Sequence, residues 1–136
     1  MRKEVLNETK FIQEIVAVIR SGLSRDQLLE KLRDYHENDI AQAMTFLDKQ
    51  ERVSLYELFD TEWLSEIITY WDEPEEYISE IEIAQLAAVV NEMDSDDAVD
   101  LLEKLDENIK GKLRPMLRED VKAAIRLIHS YEEEEI

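Results

Sequence analysis

The stretch Met93-Asp94-Ser95-Asp96-Asp97-Ala98-Val99-Asp100-Leu101-Leu102-Glu103-Lys104-Leu105 decides the fold. Ala98, Leu101, Leu102 and Leu105 recur at helical spacing, so the segment reads as a short amphipathic helix with one apolar face. Asp94 stands where an N-cap belongs, and Asp97 three residues on completes a box-like arrangement. Packing leaves the polar side unexplained. Asp96 and Asp100 are four apart and stack one turn above the other on one surface. Such a like-charge pair costs roughly 0.2–0.5 kcal/mol, which the helix dipole offsets for Asp96 and hardly at all for Asp100. Two hard oxygen donors facing outward suit a cation.

Outward from this stretch the chain has a beat. Leu47-Asp48, Phe59-Asp60, Trp71-Asp72, Met93-Asp94 and Leu105-Asp106 each put an Asp after a large apolar residue, several of them twelve positions apart. A cap plus about ten helical residues cannot bury its own apolar face, so such units must stack. The beat breaks near Ser79 to Glu82. An Asp at the head of each unit is more simply a cap than a ligand, so Asp48, Asp60, Asp72 and Asp106 are expected to cap.

On the N-terminal side, Glu4 to Ser21 reads as the longest helix, with Phe11, Ile12, Ile15, Val16 and Ile19 inward and Gly22 as its stop. Ser24, with Gln27 at the box position, caps a second helix through Leu32. Asn38 is placed to cap a third, with Ile40, Ala43, Met44 and Leu47 on its inner face. Downstream, Pro74 suits a helix start. Asp106 opens a helix weakened by Gly111 and Pro115, with a break near Leu117. Glu119 or Asp120 starts a final helix carrying Val121, Ala124, Ile125 and Ile128. Tyr131 and the glutamates after it read as a helix end running into a linker. The expected architecture is all-α: a superhelical array of about ten short helices, not a four-helix bundle.

Composition agrees. A chain of 136 residues that is 44% hydrophobic is long enough for a core and is no disordered acidic tail, despite 37% charged residues. Two Gly and two Pro leave little material for hairpins or phosphate loops, and the lack of Cys excludes disulfides and thiolate metal sites. The longest apolar run, Ile15 to Ile19, is far short of the roughly 20 residues of a membrane span. Arg2 and Lys3 are followed by Glu4 and Glu8, which is not a signal peptide. A net charge of −18 argues against nucleic acid and anionic membrane surfaces. From Val53 to Glu103 there are sixteen Asp or Glu and no Lys or Arg. That unbalanced field opposes compaction unless cations screen or bind it, although a merely solvated acidic surface is the plainer reading.

Enzymatic constellations are weak. His36 and His129 are the only histidines and lie far apart; His129, in a last helical turn, reads as a dipole-complementing residue. No serine sits in an elbow motif, and no pattern sets one carboxyl pKa against another, so the chain reads as a non-enzyme. Tyr56, Phe59, Trp63, Tyr70, Trp71 and Tyr77 read as core packing, with an interface anchor as the alternative for one Trp. A carboxylate-only donor set favours Mg or Ca over Zn or Cu, and Asp96 with Asp100 would make half of a Mg site. No Asp-x-Asp-x-Asp-Gly loop offers a self-contained calcium site.

These residues together resemble the cytosolic N domain of the MgtE family of magnesium transporters and channels. Residues 93–102 are similar to the family's Met-Asp-Pro-Asp-Asp-Ala-Ala-Asp-Leu-Leu signature. Tyr35-His36-Glu37-Asn38-Asp39-Ile40-Ala41 resembles its His-Pro-Ala-Asp-Ile-Ala segment, and Phe59 to Ile68 its Pro-x-x-x-Ala-x-Glu-Val-Leu segment. Ile128 to Glu133 resembles the Leu-x-Ser-Tyr-Pro-Glu-Asp junction ahead of the CBS domains. Ser95 and Glu132 stand where the family has Pro.

The resemblance implies a right-handed solenoid of short helices over residues 1–131, with 132–136 beginning a linker toward a CBS pair outside this chain; whether the chain is a fragment or a standalone protein stays open at this point. It implies a cytoplasmic regulatory domain that senses magnesium and docks on the CBS pair of the same transporter through bridging Mg ions, closing the pore. Asp96 and Asp100 would be the bridging carboxylates and Glu66 a contributor from an earlier helix. The parent would be a homodimer, and this piece would neither enter the membrane nor bind nucleic acid. The competing class is a helical-repeat interaction adaptor, comparable to the flagellar switch protein FliG, with no specific ion role.

Overall fold

Apolar residues at helical spacing, interrupted by caps every eight to ten residues, give short helices that must share a core. The computed structural model describes residues 3–135, and side chains over residues 10–127. These residues are all-α, with nine α-helices and three 3-10 turns and no strand. They fall into two compact units that divide between Asp72 and Glu73.

The first unit holds α1 (Lys3–Ile19), α2 (Arg25–Leu32), α3 (Glu37–Met44), α4 (Lys49–Leu58) and α5 (Thr61–Ile68). Gly22, at φ 81°, takes the left-handed conformation that stops α1 and turns the chain into α2. The Ser24–Gln27 capping box forms as the spacing predicts. Helix α3 packs on α1 and on α5, which buries Ile40, Ala41, Ala43 and Met44. Trp71 is buried, and its indole N–H donates to the Ala41 carbonyl at 3.2 Å, so its polar handle is satisfied inside the core. Arg20 clamps α1 to α4 by donating to both Glu51 carboxylate oxygens, at 2.8 and 3.0 Å.

The second unit opens with 3-10 turns at Pro74–Glu76 and Ile78–Glu80, followed by α6 (Ile83–Glu92), α7 (Ser95–Glu103) and α8 (Glu107–Leu113). A 3-10 turn at Arg114–Met116 makes the break expected near Leu117, and α9 (Glu119–Glu135) follows. Helix α7 packs on α9, and α6 on α8. Leu86, Val89, Val90, Ala98, Leu101, Leu102, Leu105, Leu113 and Val121 are buried there.

The beat has a physical meaning in three dimensions. Leu47, Phe59, Trp71, Met93 and Leu105 are all buried, each worth about 1.5–3 kcal/mol of transfer free energy, while the Asp after each is exposed. The caps themselves divide. Asp48, Asp60 and Asp106 accept from the backbone N–H three residues on. After Asp72 no α-helix starts: a 3-10 turn follows at Pro74–Glu76, and its N-cap position is Glu73. Asp94 holds the N-cap position of α7 without a side-chain bond, so the box with Asp97 does not form. Asn38 is not a cap either. Helix α3 begins at Glu37, and His36 caps it, its Nδ1 accepting the Asn38 N–H at 3.0 Å. Phe11 is half exposed rather than inward, set edge-on to Tyr35 at 6.4 Å. Tyr70 is likewise exposed at 41%, against the core reading of its cluster. The side chains of Ile128, His129 and Tyr131, and all of Ile136, lie outside the described residues.

Candidate functional site: exposed carboxylates of two helices

Helix α7 turns Ala98, Val99, Leu101 and Leu102 into the core of its unit. The same helical period then puts Asp96, Asp97, Asp100 and Glu103 in solvent. Asp96 and Asp100 are therefore outward, one turn apart, as the spacing predicts. Of the sixteen carboxylate residues between Val53 and Glu103, all but Glu80 are exposed. A pair of vertically stacked carboxylates offers oxygens from one side only, and a hexacoordinate ion fills its other positions with water or with a second surface.

Glu66 stands on α5 in the first unit, also exposed. It lines a shallow depression of about 280 Å³ with Arg33, Glu37, Asp60, Glu62 and Trp63. Partial burial, then the charges of Glu37 and Glu62, a hydrogen bond with Glu37 and the charge of Asp60, push its carboxyl pKa above the ordinary value. Asp60 is engaged by the fold: it accepts the Trp63 N–H at 2.8 Å and lies 3.6 Å from Arg33. The Arg33 guanidinium sits 4.8 Å from the centre of the Trp63 ring.

The family resemblance pointed to Glu66 but not to the residues around it. Glu62 was findable, since it is one turn before Glu66 on the same helix. Glu37 comes from α3, and only the packing of α3 on α5 brings it in. Among the described residues, no three Asp, Glu or His side chains gather closely enough to hold a metal ion by themselves.

The model of the MgtE intracellular N domain matches residues 35–134. This chain belongs to the MgtE intracellular N-domain family. Within that match lie both acidic helices, α5 and α7. A solved structure of the soluble part of a magnesium transporter shares the fold, with a TM-score of 0.74 at 22% identity over 88% of this chain. The chain spans about half of that structure, 48% of its length. No curated protein sequence matches. No helix of the described residues is long and apolar enough to cross a membrane.

Proposed function

We propose that this domain is the cytoplasmic magnesium-sensing regulator of an MgtE-type transporter. It docks on the CBS pair of the same transporter when Mg is abundant and so holds the pore closed. The observation that carries the reading is the outward pair Asp96 and Asp100 on α7, set in a stretch, Val53 to Glu103, whose carboxylates are nearly all exposed and which itself contains no Lys or Arg. Family membership supplies the transporter context.

The physics is bridging. With little Mg, this surface and an acidic partner surface repel. Mg prefers carboxylate oxygen, keeps several waters and takes one or two carboxylates from any one element, which is what α7 offers. The remaining oxygens would come from the CBS pair, and several such weak bridges make docking steep in ion concentration. Glu66 contributes from α5. Its neighbours disfavour its ionised form, and a cation beside it would relieve that strain. No step in this role is catalytic.

The test is titration of Mg into the chain mixed with its CBS pair, comparing wild type with Asp96→Asn/Asp100→Asn. Wild type should dock over a narrow Mg range, and the double variant should need about three- to tenfold more Mg. Unchanged docking would remove these residues from the mechanism.

A second reading, a plain interaction adaptor, is favoured by one feature: Phe46, just past α3, is 66% exposed, an uncovered aromatic of the kind that anchors interfaces. Docking that survives chelation of Mg but fails on Phe46→Ser would favour the adaptor.

A further inference from the structure

The second unit contains a cavity that the regulatory reading does not use. It measures about 40 Å³ and is walled by Val99, Leu102 and Glu103 of α7, Lys110 of α8, Arg114, Leu117, and Ile125 of α9. One water needs about 10–15 Å³ of such volume, so this space admits an apolar group of three or four carbon atoms. Four aliphatic and three charged side chains line it, so its wall offers an apolar contact and polar partners together.

The charged groups at the mouth are of both signs. Lys110 lies 3.5 Å from Glu107, so its charge is already answered. Glu103 and Arg114 are both exposed, and neither forms an ion pair within bonding distance among the described residues. A carboxylate and a guanidinium therefore border one apolar cavity without neutralising each other. A purely anionic ligand would meet Glu103, and a purely cationic one would meet Arg114. A neutral aliphatic would leave both charges to water and use neither.

From this we infer that the cavity is a binding site for a small aliphatic zwitterion, an α-amino acid with a branched side chain. The side chain sits among Val99, Leu102, Leu117 and Ile125. The ligand carboxylate accepts from the Arg114 guanidinium, in the two-pronged geometry that arginine favours, and its ammonium donates to Glu103. Val99, Leu102 and Glu103 are on the same helix as Asp96 and Asp100, so occupancy would bear on α7 itself.

The experiment is an NMR titration of the full chain with L-leucine, read on the methyl groups of Val99, Leu102, Leu117 and Ile125. Glycine, 4-methylpentanoate and isoamylamine serve as probes that lack the tail, the positive charge and the negative charge in turn. The expected result is saturable methyl shifts with leucine at millimolar concentration, and binding about fivefold or more weaker for each control probe. Glu103→Gln and Arg114→Gln, both at exposed positions, should keep the wild-type melting temperature and weaken leucine by about the same factor. The inference is overturned if leucine gives no saturable shifts, if the one-charge probes bind as well as leucine, or if both variants bind it like wild type.

Discussion

Helices α4 and α7 begin with the same device, a buried apolar residue followed by Asp, and they use the carboxylate in opposite ways. At α4, Asp48 accepts the Glu51 N–H at 2.9 Å, Glu51 accepts the Asp48 N–H at 3.0 Å, and Arg20 holds Glu51 from α1. The Arg20 hydrogen bonds first, and the Asp48 backbone N–H second, pull the Glu51 carboxyl down to about 2. At α7, Asp94 makes no cap bond, and Asp96, Asp97 and Asp100 stay in solvent. Two differences in sequence account for this. The third helical position is Glu in α4 but the shorter Asp97 in α7, one methylene less for reaching back to the cap N–H. The chain from Val53 to Glu103 also has no Lys or Arg, and Arg118, whose guanidinium donates to the Met93 carbonyl at 3.4 Å, pairs with Asp120, whereas Arg20 is at hand for Glu51 of α4. Where a cation and a long carboxylate are available, the acid holds helices together. Where they are not, it is left for something outside the unit.

The largest test strikes the half that the two starts share. Leu47→Ala and Met93→Ala remove side chains that are each 5% exposed, and each should cost about 2–5 kcal/mol by urea unfolding. A large loss at one site and a small one at the other would break the equivalence. The second test strikes the half that differs. Asp48→Ala should cost about 1 kcal/mol, for a lost cap, and Asp94→Ala no more than about 0.3 kcal/mol, since only its interaction with the helix dipole goes. Equal losses would show that Asp94 caps in solution.

Acid sharpens the contrast. Because the folded-state pKa of Glu51 is lowered from 4.5 to about 2, its stabilising share is complete above 4.5 and is lost as the pH falls towards 2. Glu51→Gln should flatten that part of the stability profile. Glu66 has the opposite sign: its raised pKa means that its ionised form opposes folding, so Glu66→Gln should stabilise at neutral pH and the gain should fade in acid. The smallest effect belongs to the stacked pair on α7. Asp100→Asn should raise stability by about 0.2–0.5 kcal/mol at low salt without Mg, and added salt should erase the gain.

Much of the fold was legible because helix periodicity and capping are local. The Ser24–Gln27 box, the Gly22 stop and the break before Leu117 all follow from residues within a turn of each other. The misreadings came where two local solutions compete. His36 and Asn38 both suit a cap, and His36 is used while Asn38 accepts a 3.4 Å hydrogen bond from Gln42 one turn on. Of the candidate site, the outward pair Asp96 and Asp100 was readable from their spacing. The depression around Glu66 was not, because Glu37 and Arg33 come from parts of the chain distant in sequence.

The sequence alone determined an all-helical chain of short capped units with its acid concentrated between Val53 and Glu103, since spacing, cap chemistry and charge are written residue by residue. Tertiary structure decided which acids are occupied. Glu51 meets Arg20, Asp60 meets Arg33, and Glu37 joins Glu66 through packing between helices. Coulomb interactions and hydrogen bonds act over a few ångströms, and which charges come within that range is fixed only when the helices pack.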